Sequence, residues 1–125
     1  MASQLDGAGQ TKMVTLGEAV THLQRLHAIV ERYGIAVRNQ QETGGFRMQI
    51  QRAATPLVGM LKGQFGPIAD LVSALILAST RGGGEQAKLR ALREHVAQVR
   101  AQLEIAEGKV KEKHGLAVEA APTRE

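Results

Sequence analysis

The chain has 125 residues, 43% of them hydrophobic, and a formal net charge of +4 at neutral pH, which suits one domain with a real core rather than two. It contains no Cys and no Trp, one Tyr and two Phe, so disulfides, thiolate nucleophiles, Cys-ligated zinc and aromatic base-stacking platforms are excluded. Six Lys/Arg face three Glu in residues 11–52 and eight face five in 81–113, whereas 53–80 hold only Lys62 and Asp70, so the middle of the chain is expected to be the buried part.

Residues 1–13 are polar and rich in small side chains. They lack the apolar core of a signal peptide and are expected to be a flexible leader. From there Thr15-Leu16-Gly17-Glu18 has the form of a capping box, with a hydroxyl at the N-cap and a carboxylate three residues on. Leu16, Ala19, Leu23, Leu26, Val30, Tyr33 and Val37 then step by threes and fours, a heptad seam. This first helix is expected to reach about Gln41 and to stop at Gly44-Gly45.

A second helix starts at Phe46 and sets Ile50, Ala53, Leu57 and Met60/Leu61 on one face. Pro67 lacks an N–H and crowds the carbonyl four residues back, which predicts a kink there or a fresh helix start. Ile68, Leu71, Val72, Leu75 and Ile76 carry the apolar surface on to Thr80. The apolar run 68–78 is interrupted by Asp70 and Ser73 and falls short of the ~20 residues of a bilayer span, so a soluble, cytoplasmic protein is expected. Arg81–Gly84 reads as a loop. In the third helix Leu89, Leu92, Val96, Val99, Leu103, Ala106 and Val110 repeat the heptad, and Lys113, His114 and Gly115 suit its end.

The expected fold class is therefore all-α. Three long helices, the second kinked near Pro67, form a hairpin or bundle with coiled-coil-like seams. One helical domain spans 14–114, followed by a flexible tail over 115–125. The strict repeat favours a dimeric bundle in which Leu23, Val30, Leu89, Leu92, Val96, Val99 and Leu103 face a second copy or a protein partner. The alternative closes the same seams within one chain.

Reaction chemistry is hard to assemble from these residues. His22 and His27 are five apart and diverge on a helix, and His95 and His114 stand apart from them, so no metal pair is expected. Asp70, near a helix start, suits the dipole. The Arg81–Gly84 loop lacks the pattern of a phosphate cradle. No catalytic, cofactor or metal residues are expected. The function expected is a non-enzymatic interaction module, an adaptor, scaffold or regulator acting as a homodimer on another protein. The alternative is a basic helical nucleic-acid or polyanion binder using Lys88, Arg90, Arg93, Arg100, Lys109, Lys111 and Lys113.

One segment invites a sharper reading. Thr55-Pro56-Leu57 follows Gln51 and Arg52, and a bland account makes Thr55 an N-cap with Pro56 at the first helical position. The segment also resembles the phosphoacceptor box of sensor histidine kinases, a His followed by Glu-Leu-Arg-Thr-Pro-Leu on the first helix of a dimeric helical hairpin. Thr55, Pro56 and Leu57 match, Arg52 replaces the acid and Gln51 replaces the phosphorylated His. About thirty residues to the Gly82–Gly84 loop and a long heptad helix beyond complete the likeness. The resemblance implies a phosphotransfer scaffold without its chemistry, linked to bacterial signalling and retaining a docking surface.

Overall fold

The computed structural model describes residues 6–81 and 83–114. Asp6 opens the first helix, α1 (Gly7–Arg38), with its Oδ1 accepting from the Gly9 N–H at 2.7 Å. The carboxylate satisfies an orphan donor and meets the positive end of the dipole. Thr15 and Glu18 therefore lie inside a helix that began eight residues earlier, and residues 7–13 are its first turns rather than a leader. At its other end α1 stops at Arg38, ahead of the two glycines. Gln40 adopts a φ of 55°, while the Gln41 N–H reaches the Ala36 carbonyl at 2.8 Å and the Gln40 N–H the Val37 carbonyl at 3.2 Å. That is a Schellman ending with glutamine in the left-handed position glycine usually fills.

The stretch expected to be one kinked helix is two. α2 (Phe46–Leu61) ends in a turn over 62–65, and α3 (Gly66–Thr80) starts with Pro67 in its first turn. Proline fits there because its missing N–H is one the helix start leaves unpaired in any case. Pro56 goes the opposite way from the expected helix start, since it lies in the interior of α2. Its absent N–H deprives only the Arg52 carbonyl, and Arg52 and Pro56 are both exposed, so solvent can reach it. The last helix, α4 (Glu85–His114), follows a loop in which Gly83 has a φ of 106°.

Short links make successive helices antiparallel neighbours. Each helix packs on the next, α4 packs back on α1, and the backbones of the diagonal pairs stay apart. The result is an up-and-down four-helix bundle rather than the expected three helices. Leu16, Leu26, Leu57, Leu61, Leu75 and Leu92 are fully buried in one continuous core, each contributing about 1.5–3 kcal/mol. The seven seam residues, Leu23, Val30, Leu89, Leu92, Val96, Val99 and Leu103, are all at most 6% exposed within the single chain. The seam thus closes internally, as α2 and α3 supply the two faces that a bundle of three long helices lacks. Among the described residues the one buried polar side chain, Ser79, donates to the Ile76 carbonyl at 2.6 Å.

Two glycines let α1 and α4 approach closely. A Cβ on Gly9 would stand 2.5 Å from the His114 Cβ, and one on Gly34 would stand 2.8 Å from an Arg93 guanidinium nitrogen. Among the described residues no helix is long and apolar enough to cross a membrane.

Candidate functional site

The phosphoacceptor-like box falls on α2 with its chemistry facing outward. Gln51, Arg52, Thr55 and Pro56 are exposed, and Leu57 is in the core. The Thr55 hydroxyl donates to the Gln51 carbonyl at 2.7 Å, a local bond that helps the helix run through the proline. At 100° per residue, Met48, Arg52, Thr55 and Gly59 share one solvent face, and Met48 is 52% exposed. The hairpin turn comes at 62–65 rather than at the Gly82–Gly84 loop, so the likeness to the kinase box rests on residues 51–57 alone.

The α4 cations do not form one stripe. Helical geometry divides them between two flanks. Lys109 and Lys113 face the start of α3, with Lys88 on the same flank, whereas Arg90, Arg93, Arg100 and Lys111 lie toward α1. Arg93 is already committed: its Nε and Nη2 each donate to Glu31 at 3.0 Å. Glu94, Glu104 and Glu107 interleave with the rest. A continuous phosphate track, which polyanion binding favours, is not presented by this helix.

Among the described residues no group of three His, Asp or Glu is placed to hold a metal ion. His27 approaches Glu31 at 3.7 Å, and the His95 Nδ1 lies 2.8 Å from its own helix's Ala91 carbonyl. His114 belongs to a different arrangement. Its Nδ1 sits 3.2 Å from the Asp6 carboxylate and its Nε2 3.2 Å from the Lys12 ammonium. With Nδ1–H donated to Asp6, Nε2 is the acceptor Lys12 requires. The Gly9 N–H first, and His114 second, hold the Asp6 carboxyl below its ordinary range.

The feature that sequence reading missed lies beside this contact. α1 and α4 have 32 and 30 residues against 16 and 15 in α2 and α3, so at 1.5 Å per residue the outer pair is about twice as long as the α2–α3 hairpin. Where the hairpin turns, a step opens between α3 and α4. It forms a cleft of about 300 Å³ whose apolar surface is made by Phe65, Pro67 and Ile68 on one side and Ile105, Ala106 and Val110 on the other. Lys12, Lys109 and Lys113 supply its charged rim beside the His114 ring, and among the described residues no carboxylate lines it. Ile105 is 48% exposed there. Lys109 and Lys113 have no ion-pair partner among the described residues.

The opposite end of the bundle holds a smaller, more enclosed cavity of about 250 Å³ around Tyr33, Thr43 and Glu85. Glu85 accepts from the Tyr33 hydroxyl and, at 2.6 Å, from Thr43. These bonds, Thr43 foremost, hold the Glu85 carboxyl below its ordinary range, while burial and then Glu85 push the Tyr33 hydroxyl up. The hydroxyls of Tyr33 and Thr43 and the Glu85 carboxylate are already paired with one another. Compared with known proteins, the chain matches no family model, no curated protein and no solved structure.

Proposed function

We propose that the protein is a non-enzymatic helical interaction module, an adaptor, scaffold or regulator that docks another protein on the outer face of α2. The observation that supports this reading is the juxtaposition on that face. Pro56 leaves the Arg52 carbonyl without its helical donor, beside exposed Met48, Gln51, Arg52 and Thr55. A backbone acceptor flanked by an apolar anchor and polar side chains can meet a partner's donors at little cost to the fold. The kinase-box likeness assigns the same residues to a docking surface in bacterial signalling.

Site-specific photo-crosslinking in the protein's own cells tests it. A photoreactive residue at Thr55 should trap one species of defined mass, and the same probe at Gln98 on α4 should not. Met48→Asp in the Thr55 probe chain should abolish the adduct while the melting curve stays unchanged. An adduct at twice the chain mass would identify a second copy as the partner, making the homodimer real but placing its interface on α2 rather than on the heptad seam. Equal crosslinking from Thr55 and Gln98, insensitive to Met48→Asp, would sink the assignment.

A further inference from the structure

We propose that the stepped cleft between the start of α3 and the last turns of α4 is a binding site for a small anionic amphiphile, specifically a free straight-chain carboxylate of medium length. The apolar part of the argument is area. Phe65, Ile68, Ile105 and Val110 meet across the cleft, and Ile105 remains about half exposed in the empty bundle. An aliphatic chain laid there removes apolar surface from water on both partners, which is the main driving force for such sites. At about 300 Å³ the cleft lies at the lower end of small-molecule sites. One chain fits that size, and a two-chain lipid or a docked helix does not.

The charge on the rim selects the head group. Among the described residues three ammonium groups and no carboxylate border the cleft. Lys12 spends one of its three N–H donors on His114 and keeps two. α3 begins at this wall without a side-chain cap, so the positive end of its dipole adds to the lysines. Lys113 lies in the last turn of α4 and already complements that helix's negative end, which leaves Lys109 and Lys12 as the principal anchors. A carboxylate accepts two or more charge-assisted hydrogen bonds in such a setting. A neutral head group gains less from them than a carboxylate does, and a cationic one is repelled.

Nuclear magnetic resonance titration of the full chain with sodium decanoate, below its micelle concentration, tests the site. Decanoate should shift the amides of Ile68, Ile105, Ala106 and Val110 saturably, whereas butyrate, decanol and decyltrimethylammonium should bind at least several-fold more weakly. Combined Lys12→Gln and Lys109→Gln should weaken decanoate roughly tenfold, in line with the strength of charged hydrogen bonds, with the amides outside the cleft otherwise preserved. Ile105→Asp should abolish saturation, and Leu77→Asp, on the exposed side of α3, should not. Equal binding of decanol or of the cationic amphiphile would overturn the proposal. So would shifts that spread over Leu77 and Met48 at the same concentration, or an absence of saturable shifts.

Discussion

At one end of the bundle Glu85 gathers the hydroxyls of Tyr33 and Thr43, and Arg93 grips Glu31 with two bonds of 3.0 Å. At the other, Asp6 holds the Gly9 N–H and His114, and His114 meets Lys12. Both ends tie α1 to α4 through a carboxylate, yet they differ in cover. The first lies under the ring contact of Tyr33 with Phe46, with centroids 5.6 Å apart, and beside the α1–α2 and α3–α4 links. The second lies where α1 and α4 run past the α2–α3 hairpin, whose turn faces Lys12 and His114 only across the open cleft. Equal polar chemistry on unequal apolar support should give unequal stability, because packing rather than exposed ion pairs carries most of the free energy.

The largest test strikes the core beneath the uncovered end. Leu103 is 1% exposed, and Leu103→Asp would bury a carboxylate at a cost on the order of several kcal/mol. Since the seam closes within the chain, the melting temperature should collapse with no change in oligomeric state, and a Gln102→Ala control should leave both unchanged. A variant that split a dimer into folded monomers would show that the seam works between chains in solution.

The two glycines separate the ends at the scale of about 1 kcal/mol, the helix-propensity difference between Gly and Ala. At Gly34 the obstacle to a Cβ is the tip of the flexible Arg93 side chain. Gly34→Ala should therefore be neutral or raise the melting temperature slightly. At Gly9 the obstacle is the root of His114, which cannot swing aside without moving α4. Gly9→Ala should speed amide exchange over 7–12 and 110–114 while barely changing exchange at 30–34. Matched effects of the two substitutions would mean that the ends are equally supported.

The smallest effect expected is on pH dependence. Asp6, Glu31 and Glu85 all ionise below their ordinary range in the fold, held there first by the Gly9 N–H, by Arg93 and by Thr43 respectively. Their contribution is present above about pH 4, the ordinary carboxylate range, and is lost as pH falls through the depressed folded values. Tyr33 is shifted the other way. Its contribution is present below about pH 10, the ordinary tyrosine value, and is lost as pH rises beyond it. Acid should thus loosen both ends and alkali only the covered one. In melts followed by circular dichroism, Tyr33→Phe should flatten the alkaline decline and leave an acid decline in place. An unchanged alkaline slope would remove Tyr33 from the account.

The two long helices were legible because their signal is local and repeated. Leu16 through Tyr33 and Leu89 through Val110 face the core at the spacing their sequence shows, while the expected end of α4 at Gly115 and the tail over 115–125 lie outside the described residues. The start of α1 was hidden by Gly7 and Gly9, poor helix formers that pass for a leader until Asp6 caps the helix and His114 needs the space. Gly66-Pro67 announces an interruption but not its angle. Whether the chain bends or reverses depends on whether Leu57, Leu61, Val72 and Leu75 serve one neighbour or two. Pro56 misled in the opposite sense, as burial of Ala54 and Leu57 outweighed one lost backbone bond. The cleft was beyond reach because Lys12, Phe65 and Lys109 meet only through the unequal lengths of the helices.

The backbone contact between Asp6 and His114, an N–H to carbonyl bond of 3.2 Å, makes the bundle a ring with one link missing. Four helices in cyclic contact have no structural first member. Loop entropy grows only slowly with length, by about 0.6 kcal/mol per doubling. A gene rearranged to join α4 to α1 and to open the chain at 62–65 would ask the same four pairings of the same four helices. It would turn the uncovered end into a connected one. The order in which the helices are written is thus nearly independent of the shape they make, and the stepped end could be closed or left free by moving the break.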